Sequence, residues 1–109
     1  MGKFVITKRS NGEFQFSLKA ANGQTILVSE GYSTKAACLN GIESVKMNSQ
    51  DESRFDKRES SNGKPYFNLK ASNGQVIGSS EMYESNSARD NGISSVKNNT
   101  SNAVIEDQF

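Results

Sequence analysis

Alternation of apolar and polar residues dominates the early part of the chain. Phe14, Phe16, Leu18 and Ala20 interleave with Gln15, Ser17 and Lys19, the period-two pattern of a strand buried on one face. Comparable segments predict strands at roughly 3–9, 13–20 and 24–29, and again at roughly 54–60, 64–71 and 75–80. Between them stand Asn11-Gly12, Asn22-Gly23, Asn62-Gly63 and Asn73-Gly74. An Asn-Gly pair between alternating segments is the strongest short-range hairpin signal. Each set of three strands therefore reads as a meander.

The apolar pattern also selects the turn. A two-residue loop at Asn11-Gly12 would pair Val5 with Leu18 and put Phe4 and Ile6 on the polar face. A three-residue loop, Ser10-Asn11-Gly12, pairs Phe4 with Leu18 and Ile6 with Phe16. A one-residue slip exchanges the faces, so the three-residue loop is expected, a type I turn with a left-handed Gly at the bulge. The same rule at Ala21-Asn22-Gly23 pairs Leu18 with Ile26 and Phe16 with Val28. In the second set it pairs Phe55 and Ile77 with Leu69. Pro65 stands where the first set has Phe14, so that strand end is expected at an edge or a strand start.

The period then changes. Ala37, Gly41, Ile42 and Val45, and later Ala88, Gly92, Ile93 and Val96, fall at helical spacing. Helices are predicted at roughly 35–47 and 86–98, with Thr34 and Ser85 as N-caps and Asn48 and Asn99 as helix ends. A Gly inside a helix costs about 1 kcal/mol relative to Ala. Its return at the same step predicts close approach of helix to sheet. A final strand is expected around Val104-Ile105-Glu106.

The chain repeats itself. Lys19-Ala20-Ala21-Asn22-Gly23-Gln24 returns as Lys70-Ala71-Ser72-Asn73-Gly74-Gln75, and Asn40-Gly41-Ile42 returns as Asn91-Gly92-Ile93, with one offset and no gap. Each repeat is near the lower size limit for a core of its own. One domain over 1–109 is expected, with repeat one at about 3–50, repeat two at about 54–101 and a tail strand at about 103–109. The expected class is α+β. Two tandem β-β-β-α-β repeats form a single antiparallel sheet with two helices on one face and pseudo-twofold symmetry. Because the tandem already supplies two units, a monomer is favoured.

Composition narrows the function classes. Only 33% of residues are hydrophobic, which suits a thin two-layer fold. Thirteen Lys and Arg face 12 Asp and Glu, so net charge predicts no strong attraction to nucleic acid or anionic membrane. No apolar run approaches a membrane span. The start lacks a signal-peptide core, and Ile6 stands where a myristoylation motif needs Ser or Thr. The single cysteine, Cys38, faces Arg89 in the repeat alignment and excludes an intramolecular disulfide. A cytoplasmic location is expected.

The motif Leu18-Lys19-Ala20-Ala21-Asn22-Gly23-Gln24, then Ser29-Glu30 and Tyr32, then Asn40-Gly41-Ile42-Glu43-Ser44-Val45-Lys46 resembles the YegP-like family of small bacterial proteins. The resemblance runs through both repeats. It implies β-β-β-α-β units, as tandem repeats or paired subunits, that build one sheet with exchanged final strands. The tail at 103–109 is then an exchanged C-terminal strand. The family's biochemical role is unassigned, so the resemblance supplies no site residue.

Candidate chemistry is sparse. The chain has no His, hence no imidazole base, triad or imidazole metal ligand. Cys38 lacks a base partner and reads as packing. Asp51/Glu52 and Glu106/Asp107 read as solvated carboxylates, and no phosphate or dinucleotide fingerprint is present. No catalytic residue, metal or cofactor is expected.

Two sets of binding candidates remain. The open sheet face should show Gln15, Ser17, Lys19, Tyr66, Asn68 and Lys70. Lys19, Tyr66 and Lys70 there offer one ring and two cations, the ingredients of a weak nucleic-acid contact. The second set is the repeated polar pairs Glu30/Glu81, Tyr32/Tyr83, Asn40/Asn91 and Lys46/Lys97. These form either two related sites or a structural device, a Tyr hydroxyl anchored by a carboxylate at the turn into the helix. A buried, hydrogen-bonded Asn40 would mark the device; an exposed cleft holding Asn40, Lys46 and Tyr32 would mark a site. The chain is read as a non-enzymatic cytoplasmic binding or protein-interaction module. The alternative is a weak nucleic-acid binder using the open sheet face.

Overall fold

The computed structural model describes residues 2–108. Repeat one supplies β1 (Lys3–Lys8), β2 (Phe14–Lys19), β3 (Thr25–Val28) and α1 (Lys35–Asn48). After a short 3-10 turn, repeat two supplies β4 (Phe55–Glu59), β5 (Pro65–Lys70), β6 (Val76–Ser79) and α2 (Asn86–Thr100), and the chain continues into β7 (Val104–Asp107). The strands form one sheet in the order β4-β5-β6-β3-β2-β1-β7. Both helices pack on the face that carries Phe16, Leu18, Phe67 and Leu69, and one buried cluster runs through both repeats. No helix among the described residues is long and apolar enough to cross a membrane.

The hairpins form for the reason the alternation gives. Phe4 faces Leu18 and Ile6 faces Phe16, and Phe55 faces Leu69. Gly12, Gly23, Gly63 and Gly74 have φ of +88°, +85°, +84° and +85°, the left-handed bulge position that Gly occupies without a Cβ penalty. Pro65 opens β5, so its missing N–H interrupts no ladder from within.

Two registers differ from expectation. Leu18 faces Leu27, not Ile26, and Ser17, not Phe16, faces Val28. Leu69 likewise faces Gly78, not Ile77. A bulge after the turn puts one extra residue into β3 and into β6. Ile26 and Leu27 can then both be buried, at 5% and 0% exposure, which strict alternation forbids.

Thr34 and Ser85 cap the helices as expected, accepting from the Ala37 and Ala88 amides. The C-caps are Ser49 and Ser101. Asn48 and Asn99 remain helical, and their amides donate to the Ser44 and Ser95 carbonyls. Cys38 is fully buried in the core, and burial pushes its thiol pKa up, with a smaller push from Asp107.

The tail strand crosses to the other repeat. β7 lies against β1, with Lys3 opposite Val104 and Ile6 opposite Asp107. This one pairing is parallel, so the sheet is antiparallel except at that edge. Lys3–Glu106 at 2.9 Å and Lys35–Asp107 at 2.7 Å tie the strand down. The expected tail reached residue 109, and its last residue lies outside the described residues.

The edge at β4 carries no further strand among the described residues. There Lys57 occupies the register position of Ile6, opposite Phe67, and pairs with Asp90 of α2 at 3.3 Å. An inward charge on an edge strand discourages further pairing. Repeat one has an apolar corner where β7 covers it; repeat two has a charged corner where the edge is bare.

Candidate binding site on the open sheet face

The repeats meet along β3 and β6, joined by one register pair, Val28 opposite Ser79. These two residues are symmetry mates, so the pseudo-twofold axis passes between them. On the axis the face without helices is concave, with a cleft of about 560 Å³. Thr25, Val28, Val76 and Ser79 line its floor, and Glu30, Glu81, Arg9 and Gln15 stand around it. Gly78 takes the place that Leu27 fills in repeat one, and a Cβ at Gly78 would come within 2.7 Å of the Leu27 side chain.

Electrostatics set the character of the cleft. Arg9 donates to Gln15 at 3.1 Å and pairs with Glu13 at 3.5 Å. The Gln24 amide donates to Glu81 at 3.3 Å. The Gln15 amide donates to the Ser29 carbonyl at 3.1 Å. Neither Glu30 nor Glu81 has an ion-pair partner among the described residues.

The sequence candidates fall in several places. Lys19, Tyr66 and Lys70 do lie on the helix-free face, opposite Lys3, Arg58 and Val76 in register. They are half-buried and do not line the cleft. Lys70 pairs with Asp56 at 3.3 Å, and Arg58 reaches the same carboxylate at 2.8 Å. Those two cations hold the Asp56 pKa below the ordinary carboxylate value, Arg58 by its hydrogen bond most.

Tyr32 and Tyr83 belong to the packing. Tyr32 stacks on Phe16 at 6.2 Å and Tyr83 on Phe67 at 6.3 Å. A Cβ at Gly41 or Gly92 would collide with the hydroxyl of Tyr32 or Tyr83. The recurrent helix glycines thus make room for a ring, rather than for the sheet backbone alone. The expected carboxylate anchor is absent: Tyr83 Oη is buried with no hydrogen-bond partner among the described residues. Burial raises the pKa of both phenols above 10.0, with smaller pushes from Glu30 on Tyr32 and Glu81 on Tyr83.

Asn40 and Asn91 are exposed, so neither uses its amide to satisfy buried backbone. Asn91 lines a smaller groove of about 190 Å³ with Tyr83, Gly92, Glu81 and the first repeat's Asn22 and Gln24. Lys46 and Lys97 do not join the asparagines. Lys46 lies 3.7 Å from Glu43 and over the Phe4 ring, and Lys97 pairs with Glu52 at 2.9 Å. The cleft residues Val28 and Ser79 escaped sequence reasoning because the bulges reset which face they occupy, whereas Val76 keeps the place opposite Lys70 that the expected register gives it. Among the described residues no three His, Cys, Asp or Glu side chains gather to hold a metal ion.

Comparison with known proteins agrees with this architecture. The family described as Domain of unknown function (DUF1508) matches residues 10–56 and again 60–107. A UPF0339 protein of Shewanella oneidensis is 53% identical over 106 residues, 97% of this chain and 96% of its own. The UPF0339 protein YegP of Escherichia coli is 50% identical over 106 residues, with the same two coverages. A solution structure of a UPF0339 protein from Shewanella oneidensis superposes with a TM-score of 0.91 over 97% of this chain and 90% of that one. A solution structure of YegP from Escherichia coli, described as of unknown function, superposes with a TM-score of 0.93 over 98% and 92%.

Proposed function

The chain belongs to the DUF1508 family, and from that footing we propose that it is a non-enzymatic cytoplasmic binding module whose ligand lies in the cleft at the pseudo-twofold axis. One observation carries the reading: the cleft of about 560 Å³ over an apolar and hydroxyl floor, within the size range of small-ligand sites. The candidates Lys19, Tyr66, Lys70, Tyr32, Tyr83, Asn40, Asn91, Lys46 and Lys97 are flanking or structural in this reading. Only Tyr83 and Asn91 touch a groove, the smaller one. The chain works as a monomer, since the axis relates its own two halves.

The nucleic-acid reading rests on Tyr66 beside Arg58 and Lys70 on the helix-free face. Their sharing of Asp56 lowers the charge available to phosphate, which ranks this reading second. Amide NMR titration separates the two. The probes are single- and double-stranded oligonucleotides at low and moderate salt, and a panel of amines, carboxylates, sugars and free amino acids. Shifts centred on Thr25, Val28, Val76 and Ser79 from one panel class support the cleft. Shifts on Lys19, Tyr66 and Lys70 that fade with salt would establish nucleic acid instead. A cleft silent to the whole panel overturns the proposal.

A further inference from the structure

Twelve acidic side chains are present. Nine of them, all but Glu30, Glu59 and Glu81, sit within ion-pair distance of a Lys or Arg. Two of the three unpaired ones line the same cleft. They are also symmetry mates, kept in both repeats while the floor drifts from Thr25 and Val28 to Val76 and Ser79.

Their placement follows from the seam. β3 and β6 run antiparallel about Val28 and Ser79. Glu30 lies two residues beyond Val28 and Glu81 two beyond Ser79, so they stand at opposite ends of the cleft. At a rise of about 3.3 Å per residue, their Cα atoms are separated by roughly 13 Å along the strands. Between them the floor offers Val28 and Ser79, with Thr25 at the Glu81 end and Val76, 37% exposed, at the Glu30 end. The one cation at the rim, Arg9, is already offset by Glu13. Glu81 accepts from Gln24, a neutral donor that leaves its charge uncancelled.

Resting on the cleft as the binding site, we propose that it holds a linear polyamine, one terminal ammonium at Glu30, the other at Glu81, and the methylene chain along the floor. Two like charges joined by a flexible apolar spacer are the complement of two carboxylates flanking an apolar trough. The pseudo-twofold axis matches the near-symmetry of such a molecule. The carboxylates are exposed, so each ion pair is modest and screened by salt. Affinity therefore depends on both ends being engaged at once.

The experiment is an amide NMR titration of the full chain with spermidine, an eight-carbon terminal diamine, putrescine and octylamine. Spermidine and the eight-carbon diamine are expected to bind most tightly, putrescine more weakly because it is too short, and octylamine weakest because it has one charge. E30Q/E81Q should weaken spermidine by about tenfold and each single change by about threefold, while E59Q, which removes the third unpaired acid away from the cleft, leaves it unchanged. A tetralysine peptide carries the same ammonium groups on a bulkier backbone and is expected to bind less well than spermidine. Equal binding of octylamine, tighter binding of the peptide, or an unchanged affinity in E30Q/E81Q overturns the polyamine assignment. If carboxylates or sugars shift the cleft and amines do not, the assignment fails and the cleft remains the site. If nothing shifts the cleft, both fail.

Discussion

The hydroxyls of Ser49 and Thr100 lie 2.9 Å apart, both fully buried, between the C-terminal ends of α1 and α2. They are symmetry mates, so the axis that passes between Val28 and Ser79 in the sheet leaves the helix layer here. Gln50 closes the contact by donating to both oxygens, at 3.3 Å and 3.2 Å. Thr100→Val keeps the shape and takes from the Ser49 hydroxyl its 2.9 Å partner, leaving it Gln50 at 3.3 Å and the Lys46 carbonyl at 3.4 Å. It should destabilise by about 1 kcal/mol, and S49A/T100V by less than the sum of the single changes. Urea unfolding of the four proteins in the cycle measures this.

Gly41→Ala and Gly92→Ala should each destabilise, although Ala is favoured over Gly by about 1 kcal/mol in an ordinary helix interior. The added Cβ meets the Tyr32 or Tyr83 ring, itself stacked on Phe16 or Phe67. Overpacking of this kind costs about 1–3 kcal/mol. A rise in Tm for either variant would contradict the assignment of these glycines to ring clearance.

Stability should fall on the alkaline side. Tyr32 and Tyr83 resist ionisation in the folded chain because burial, and then Glu30 and Glu81, raise their pKa above 10.0. The unfolded phenols ionise near 10. The folded state thus holds more protons above that value, and the tyrosine contribution, constant below it, drops as pH climbs toward the folded pKa values; the Cys38 thiol, also raised by burial, adds a decline that begins at lower pH. Thermal melts between about pH 8 and 11 should show the combined decline, and Y32F/Y83F should remove its upper part.

Lys57→Ile restores on β4 the residue that β1 carries at Ile6. It also frees Asp90 from its 3.3 Å pairing with Lys57. The bare edge then resembles the edge that β7 covers, and the variant should self-associate through β4. Light scattering after size exclusion reads the change, with the wild-type chain remaining monomeric at the same concentration.

Much of this fold is legible in the sequence because the Asn-Gly turns and the Phe4, Ile6, Phe16 and Leu18 alternation admit one register. The helix caps at Thr34 and Ser85 follow from local chemistry in the same way. The illegible parts are non-local. The bulges that set Leu27 opposite Leu18 and Gly78 opposite Leu69 lie under the helix of the other repeat, α2 over β3 and α1 over β6, which no local pattern records. The direction of β7 depends on where α2 ends over the sheet. The candidate site suffered most. Lys19, Tyr66 and Lys70 were readable as residues of the helix-free face, but the cleft is made by the reset registers around Val28 and Ser79. Glu30 and Glu81 were visible as a repeated pair, but not as the two ends of one trough.

The parallel pairing of β1 with β7 has a mechanical consequence. The chain enters the sheet at Lys3, beside Val104, and leaves it past Asp107, beside Ile6. Traction on the two ends therefore pulls these neighbouring strands in opposite directions along their own length. The rungs between them, including the Gln108 amide donating to the Ile6 carbonyl at 2.8 Å, must yield together rather than peel one by one. Forced unfolding is governed by the unfolding barrier, and this geometry loads that barrier in shear. The C-terminal strand is the clasp that would make a small protein with a lean core resist being drawn, end first, through a narrow pore.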